Sequence, residues 1–438
     1  MQTLPTELHC EILTYLASDV ASISSWCTTC KTCYRQAIRI LYQSIDSKAL
    51  LTINGCQNPN SLASFVRSIS FIPDEDNNKV VPDALISCSP TVWNKFDSTI
   101  FTQKIRELIW TVETPLASVF RNGIPSCLMN LKSLKIEIAL RNENDTNCLM
   151  SLISPTLHTL EITFKTIFGD SSEYANLSRI LTTLPDRLPI LDRLHLGIPR
   201  NASQDAAASL RNVLQRESFV FPTLSYLSVE STSPFLPSEL FIKRHPQVNA
   251  LGYIWCRWSP SSPRALEICP SASTLRHFTG SYVDAADILS LQDKIRLQSI
   301  DIHCPYGEQL DFAQLTLHLK RCPSLRTVFL RGIRNVTSLD AATFDELPLI
   351  EELGLWLTEQ QSMTIAIRLS THLQKLDVWM FHDQRAPNEV LFWRQINAFK
   401  AKSDVDLYIF DRKKIWKRKV LITWKCSRNT ERSLWASL

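Results

Sequence analysis

One pattern governs what this chain can fold into: Leu, two residues, Leu, one residue, Leu. Late in the chain it reads Leu325-Arg326-Thr327-Val328-Phe329-Leu330, then Ile350-Glu351-Glu352-Leu353-Gly354-Leu355, then Leu373-Gln374-Lys375-Leu376-Asp377-Val378. Upstream it starts at Leu131, Leu157, Leu191, Leu224, Val248, Leu275 and Leu297. From Leu131 to Leu373 there are nine steps with a mean of about 27 residues. A period this short leaves no room for one closed globular core. Each unit is a single strand with a return segment, and it buries its apolar side only against its neighbours. The product is a stacked solenoid, and solenoids bind other macromolecules on an extended surface.

The punctuation agrees with one strand and one helix per unit. Six units carry Pro two residues before the first apolar position: Pro155, Pro189, Pro222, Pro246, Pro323 and Pro348. Pro ends a helix and biases its predecessor toward extended backbone, as a helix-to-strand junction requires. Glu173–Leu184, Ala206–Gln215, Phe312–Lys320 and Thr364–Leu369 read as the intervening helices. Val66–Phe71 and Ile105–Trp110 look like two degenerate early repeats, separated by the acidic, turn-rich Pro73-Asp74-Glu75-Asp76-Asn77-Asn78. The C-terminal piece departs from the pattern: Glu389–Ala401 reads as a helix, Val405–Phe410 and Val420–Trp424 as strands, together a cap for the open end of the core.

Composition narrows function. The chain is 45% hydrophobic and 21% charged, enough to bury a large core. It holds only 9 Gly, with no Walker or dinucleotide-binding fingerprint. A net charge of +4 over 438 residues does not point to general nucleic-acid binding. The N-terminus lacks the basic-then-apolar signature of a secretory signal, and no run of 18 uncharged apolar residues is present. The 13 Cys are therefore read as reduced thiols of a cytoplasmic or nuclear protein. There is no H-E-x-x-H and no defensible Ser/His/Asp constellation. Cys27, Cys30 and Cys33 have no second pair at zinc-finger spacing. Neither enzyme activity, metal nor cofactor is expected. Arg412–Lys419 holds six basic residues in eight, between two apolar alternating runs. It reads as a charged hairpin guarding a sheet edge, or as a nuclear-localisation or phosphate-binding segment.

Residues 3–45 differ from the repeats. Leu4, Leu8, Ile12, Leu13 and Leu16 recur at helical spacing, Pro5 and Glu7 suit a first helical turn, and Asp19 suits the N-cap of a second helix. A third periodic run carries Ala37, Ile40, Leu41 and Ile45, making three short helices. The run Leu4-Pro5-Thr6-Glu7-Leu8 with Ile12, Leu13 and Leu16, the pair Cys30-Lys31, Ala37, and Leu41-Tyr42-Gln43-Ser44-Ile45 together resemble the F-box family. Thr29 and Cys33 depart from the family pattern. Residues 131–380 are similar to the leucine-rich repeats that often follow an F-box, without the usual Asn after the third apolar position.

The resemblance implies an α/β solenoid: a small N-terminal helical F-box (1–46), a connecting region with degenerate early repeats (47–130), a leucine-rich-repeat horseshoe with its parallel sheet on the concave side (131–380), and a C-terminal capping segment (381–438). It also implies a substrate receptor of a cullin–RING ubiquitin ligase, docked on a Skp-type adaptor and holding a protein substrate on the repeats. A protein-binding scaffold outside ubiquitination is the alternative. Leu4, Pro5, Glu7, Leu8, Ile12 and Leu16 are the expected adaptor surface, and Leu13 is expected in the core. Outward strand positions near the C-terminal end, Phe329, Arg331, Trp356, Lys375 and Trp379, are the expected substrate contacts, or else lie under the cap. Phe329, Trp356 and Trp379 are expected in one outward register.

Overall fold

A computed structural model describes residues 12–13, 20–29, 31–53, 62–72, 93, 105–140, 143–165, 171–197, 212–213, 216–231, 244–255, 274–290, 296–303, 312–320, 322–331, 352–358, 375–382, 406–411, 421–425 and 435–437. The chain divides into two compact units, Met1–Thr223 and Leu224–Leu438.

In the first unit the strands are β1 (Ser44–Asp46), β2 (Ser68–Phe71), β3 (Glu107–Trp110), β4 (Ser133–Ile138), β5 (Thr159–Phe164) and β6 (Arg193–Gly197). Each pairs in parallel with the next in chain order. The second unit holds β7 (Tyr226–Ser231), β8 (Ala250–Trp255), β9 (His277–Ser281), β10 (Ser299–His303), β11 (Thr327–Arg331), β12 (Glu352–Thr358), β13 (Lys375–His382) and β14 (Asp406–Asp411), again parallel and in chain order. There β15 (Leu421–Lys425) and β16 (Trp435–Ser437) add on antiparallel, so the parallel repeat ends at β14. The basic run Arg412–Lys419 connects the antiparallel pair β14–β15 and lies outside the described residues, as do Thr364–Leu369 and Glu389–Ala401.

The apolar positions set the register. Leu134 stands opposite Leu160 and Leu160 opposite Leu194, with Ile136, Ile162 and Leu196 aligned two residues on. In the second unit Leu227, Leu251, Phe278, Ile300, Val328, Leu353 and Leu376 form one such row. The first, fourth and sixth positions of the motif are buried throughout the described repeats of the first unit, including Leu131, Leu157 and Leu191. A one-residue slip would move all of these side chains to the other face, so burial specifies the register strongly.

Two hydrogen-bond devices repeat with the period. The carbonyl of the second motif residue accepts two N–H groups from the next strand: Arg106 accepts from Lys132 and Ser133, Lys132 from His158 and Thr159, and Arg276 from Gln298 and Ser299. The residue before the first Leu donates its hydroxyl to the first motif carbonyl of the preceding repeat. Thr156 reaches Leu131 at 2.8 Å, Thr223 reaches Leu191 at 2.8 Å, Thr274 reaches Val248 at 3.1 Å and Ser324 reaches Leu297 at 2.9 Å. This hydroxyl column gives carbonyls at the start of the units a partner, and three of its four donors stand in a Pro-Thr-Leu or Pro-Ser-Leu run, Thr274 following Ser273 instead.

The early repeats substitute bulk for regularity. Phe71 and Trp110 take the third apolar position, and with Trp93 and Phe120 they form a buried aromatic cluster, ring centroids 4.7 Å apart for Phe71–Trp110 and 5.8 Å for Trp110–Phe120. The turn of helix at Leu116–Val119 begins after Pro115, which has no capping side chain. The buried Asp145, on the helix Glu143–Leu152 of the next repeat, accepts the Ala117 N–H at 2.9 Å instead. A carboxylate there meets the positive end of the helical turn.

Two expectations are corrected. Ile45 is not helical: the helix Lys31–Leu41 stops short of it, and Ile45 lies buried in β1 opposite Ile69, where a β-branched residue between Ser44 and Asp46 fits the alternation of a strand. The helix predicted over Glu173–Leu184 runs from Ser171 to Arg187, past Pro185. Its end is held by the Leu188 N–H on the Leu184 carbonyl at 3.0 Å and by Arg187 on the Met150 carbonyl at 2.7 Å. The helix Phe312–Lys320 has the predicted bounds. Of Ala206–Gln215, residues 212–213 are described, and they are helical.

Gly280 occupies the third apolar position of its repeat, where the motif calls for Leu. The neighbouring Phe278 ring fills the space: a Cβ added at Gly280 would sit 2.5 Å from Phe278 Cζ and 2.9 Å from Cε1. Phe278 is 1% exposed, so its ring can give way only against packed neighbours. We expect Gly280→Val to lower stability by about 1–3 kcal/mol, the usual cost of overpacking. Phe278→Leu combined with Gly280→Leu restores the motif and should recover much of that loss. Thermal melts of the two variants beside the wild type check this.

Candidate functional site

The N-terminal helices form their own small core. Leu13, Ile23 and Ala37 are buried together, with Trp26, Cys27, Ile40 and Leu41 packed against them. On the helix Val20–Cys27 the inward residues are Ile23, Trp26 and Cys27; on Lys31–Leu41 they are Cys33, Ala37, Ile40 and Leu41. Both sets follow the i, i+3, i+4 stripe of an amphipathic helix. Cys33, where the sequence departs from the F-box pattern, is 1% exposed and takes a core place. Burial, and secondarily Cys33, pushes the Cys27 thiol up from its usual value. Thr28 and Thr29 close the turn between the helices through hydroxyl bonds to Ser25 and Trp26 carbonyls at 2.7 and 2.8 Å.

Leu13 is thus in the core, as expected. Ile12 beside it is half-buried, and Tyr34 on the third helix is 47% exposed. Leu4, Pro5, Glu7, Leu8 and Leu16 lie outside the described residues, as does Asp19, which directly precedes the helix starting at Val20. The helical unit runs directly into the sheet. The Gln43 carbonyl accepts the Arg67 and Ser68 N–H groups at 2.8 and 3.0 Å, and Asp46 caps the helix Ser47–Thr52 through the Ala49 N–H at 2.7 Å. The Arg39 guanidinium lies 5.7 Å from the Phe65 ring centroid, a second tie between the third helix and the first repeat.

The second candidate surface is the face of the sheet opposite the buried leucines. In the first unit it is charged, and its charges pair across strands. Lys135 meets Glu161 at 3.0 Å, directly opposite in register, and Lys165 meets Glu137 at 3.1 Å while also donating to the Thr111 carbonyl at 3.2 Å. Partly exposed pairs of this kind contribute little stability individually.

In the second unit the five expected substrate residues all fall on strands, but not in one row. Phe329 is half-buried and stands opposite Asp301 on one side and Gly354 on the other. Trp356 stands two residues further along, opposite Trp379. The single outward register expected for Phe329, Trp356 and Trp379 is therefore corrected to two rows on positions of the same parity. The cause is the core: Leu330 aligns with Leu355, so Phe329 precedes the shared apolar position and Trp356 follows it. Arg331 aligns with His303, and Lys375 with Glu352. The tryptophan row continues through Tyr408, Thr423 and Trp435 on the last three strands. Tyr408 was within reach of sequence reasoning, since Leu407 aligns with Val378 as any repeat leucine would.

In each unit the repeating, buried L-x-x-L-x-L strands build a parallel-strand solenoid. No family model matches the chain, and no curated protein matches it. Among solved structures it is similar to an internalin from Listeria monocytogenes, at 17% identity and a TM-score of 0.31, over 70% of this chain and 81% of that one. Among the described residues no cluster of three or more His, Cys, Asp or Glu is arranged to hold a metal, and no helix is long and apolar enough to cross a membrane. The buried Cys322 thiol is pushed up to about 11 by desolvation, which disfavours the nucleophilic thiolate there.

Proposed function

We propose that this chain is a non-catalytic receptor: its N-terminal helices dock on a Skp-type adaptor of a cullin–RING ubiquitin ligase, and its repeats hold a protein substrate. The observation that carries the reading is the small helical core of Leu13, Ile23 and Ala37 leading straight into the first strand of a solenoid. A unit so small buries little surface alone and gains from a partner. The F-box-like residues Leu4, Pro5, Glu7, Leu8, Ile12 and Leu16 supply that partner's surface. Nothing in this role calls for a cofactor, and it belongs in the cytoplasm or nucleus.

The ubiquitin-ligase part is tested by isolating the full chain from cells and supplying activating enzyme, conjugating enzyme, ubiquitin and ATP. Ubiquitin chains formed by the isolate, and lost on adaptor depletion, support it. An isolate free of adaptor and cullin points to a protein-binding scaffold outside ubiquitination.

For the substrate we propose Phe329, Arg331, Trp356, Lys375 and Trp379. An aromatic anchor typically costs about 2 kcal/mol or more of binding when truncated. We expect Trp356→Ala to lose that much partner capture with its melting temperature unchanged. A lowered melting temperature with unchanged capture would instead make Trp356 part of the packed end of the repeats.

A further inference from the structure

The open face of the first unit carries its charges in pairs, and a second row of charge lies along the edge where its strands begin. Backbone bonds set four basic residues side by side there. The Arg106 N–H donates to the Arg67 carbonyl at 2.7 Å, the Lys132 N–H to the Arg106 carbonyl at 2.7 Å and the His158 N–H to the Lys132 carbonyl at 2.9 Å. Each directly precedes one of the successive strands β2 to β5, about 4.8 Å apart per step. Arg106, Lys132 and His158 are exposed and Arg67 is half-buried. Neither Arg106 nor Lys132 joins an ion pair among the described residues, in contrast to Lys135 and Lys165 nearby. Glu107 sits in the next row, between Ser68 and Ser133, and the basic part of the row ends at His158, whose carbonyl accepts the N–H of the half-buried Asp192 at 2.9 Å. Burial lowers the Arg67 guanidinium from its usual value, and the like charge of the neighbouring Arg106 adds to it as the lesser cause. An anion laid along this edge relieves that repulsion.

We propose that Arg67, Arg106 and Lys132 form a docking edge for an extended acidic segment of a partner polypeptide, running across the strands. Three cations in two steps span about 10 Å, the reach of three or four residues of extended chain. A short run of Asp or Glu therefore presents carboxylates to all three. A nucleic acid fits less well. The row offers a single imidazole, His158, where stacking on successive bases needs several aromatics, and the net charge of +4 over 438 residues gives no broad basic field. The proposal rests on the repeats being a protein-binding surface, and it stands whether or not the helical unit docks on an adaptor.

The test uses the full chain and a fluorescent hexaglutamate peptide, followed by anisotropy at low and high salt. The expected result is saturable binding that weakens with salt and falls about tenfold or more in Arg106→Glu with Lys132→Glu. The charge-matched control Arg121→Glu with Arg216→Glu, both exposed, should leave it unchanged. If circular dichroism shows the reversed pair misfolded, Arg106→Gln with Lys132→Gln replaces it, with a loss of about threefold or more expected. Absence of saturable binding, equal loss in the control pair, or tighter binding of a hexauridylate ribonucleotide than of hexaglutamate overturns the proposal. None of these outcomes bears on the ubiquitin-transfer assay, so the two readings fail separately.

Discussion

Trp110→Ala lowers the stability of the first unit by about 3–5 kcal/mol, the range for deleting a large aromatic from a packed core. Trp110 is 1% exposed and touches both sides of its cluster, with centroids 4.7 Å from Phe71 and 5.8 Å from Phe120. Removing it empties space that neighbouring strands cannot close, because their register is fixed by the leucine rows on β4 and β5. Thermal and denaturant melts followed by circular dichroism read the loss. A change below about 1 kcal/mol, the scale of a surface substitution, would show that the early repeats are not stacked on this cluster.

What was legible in the sequence followed the period. Leu131, Leu134 and Ile136, with their counterparts at Leu157 and Leu191, announced both strand position and inward face, because burial of every third-then-second residue leaves a trace no surface constraint blurs. What was not legible depended on neighbours. Gly280 looks like a missing leucine until Phe278 is seen to fill its place. Asp145 caps a helical turn 28 residues upstream, a distance over which no local pattern speaks. Lys165 and Glu137 find each other only once the strands are aligned. The two-row arrangement of Phe329 and Trp356 was missed for the same reason, since parity was readable and register was not. Ile45 was drawn into a helix by the apolar run before it, although a β-branched residue between Ser44 and Asp46 is itself a strand signal. Of the proposed adaptor surface only Ile12 is described, half-buried next to the core residue Leu13.

The second large effect concerns that surface. Leu4→Asp with Pro5→Ala is expected to lower adaptor affinity by ~10²-fold or more. A carboxylate placed in an apolar contact costs several kcal/mol, and each 1.4 kcal/mol is about tenfold in affinity. The loss should leave the fold intact, since the described core of the helical unit, Leu13, Ile23 and Ala37, is unchanged in this variant.

The most direct measurement is titration of purified full-length chain with a purified Skp-type adaptor, wild type beside this double variant, each shown folded by circular dichroism. The account predicts a one-to-one complex for the wild type and a loss of about a hundredfold or more for the variant. No complex with the wild type, or equal affinity for the folded variant, would contradict it.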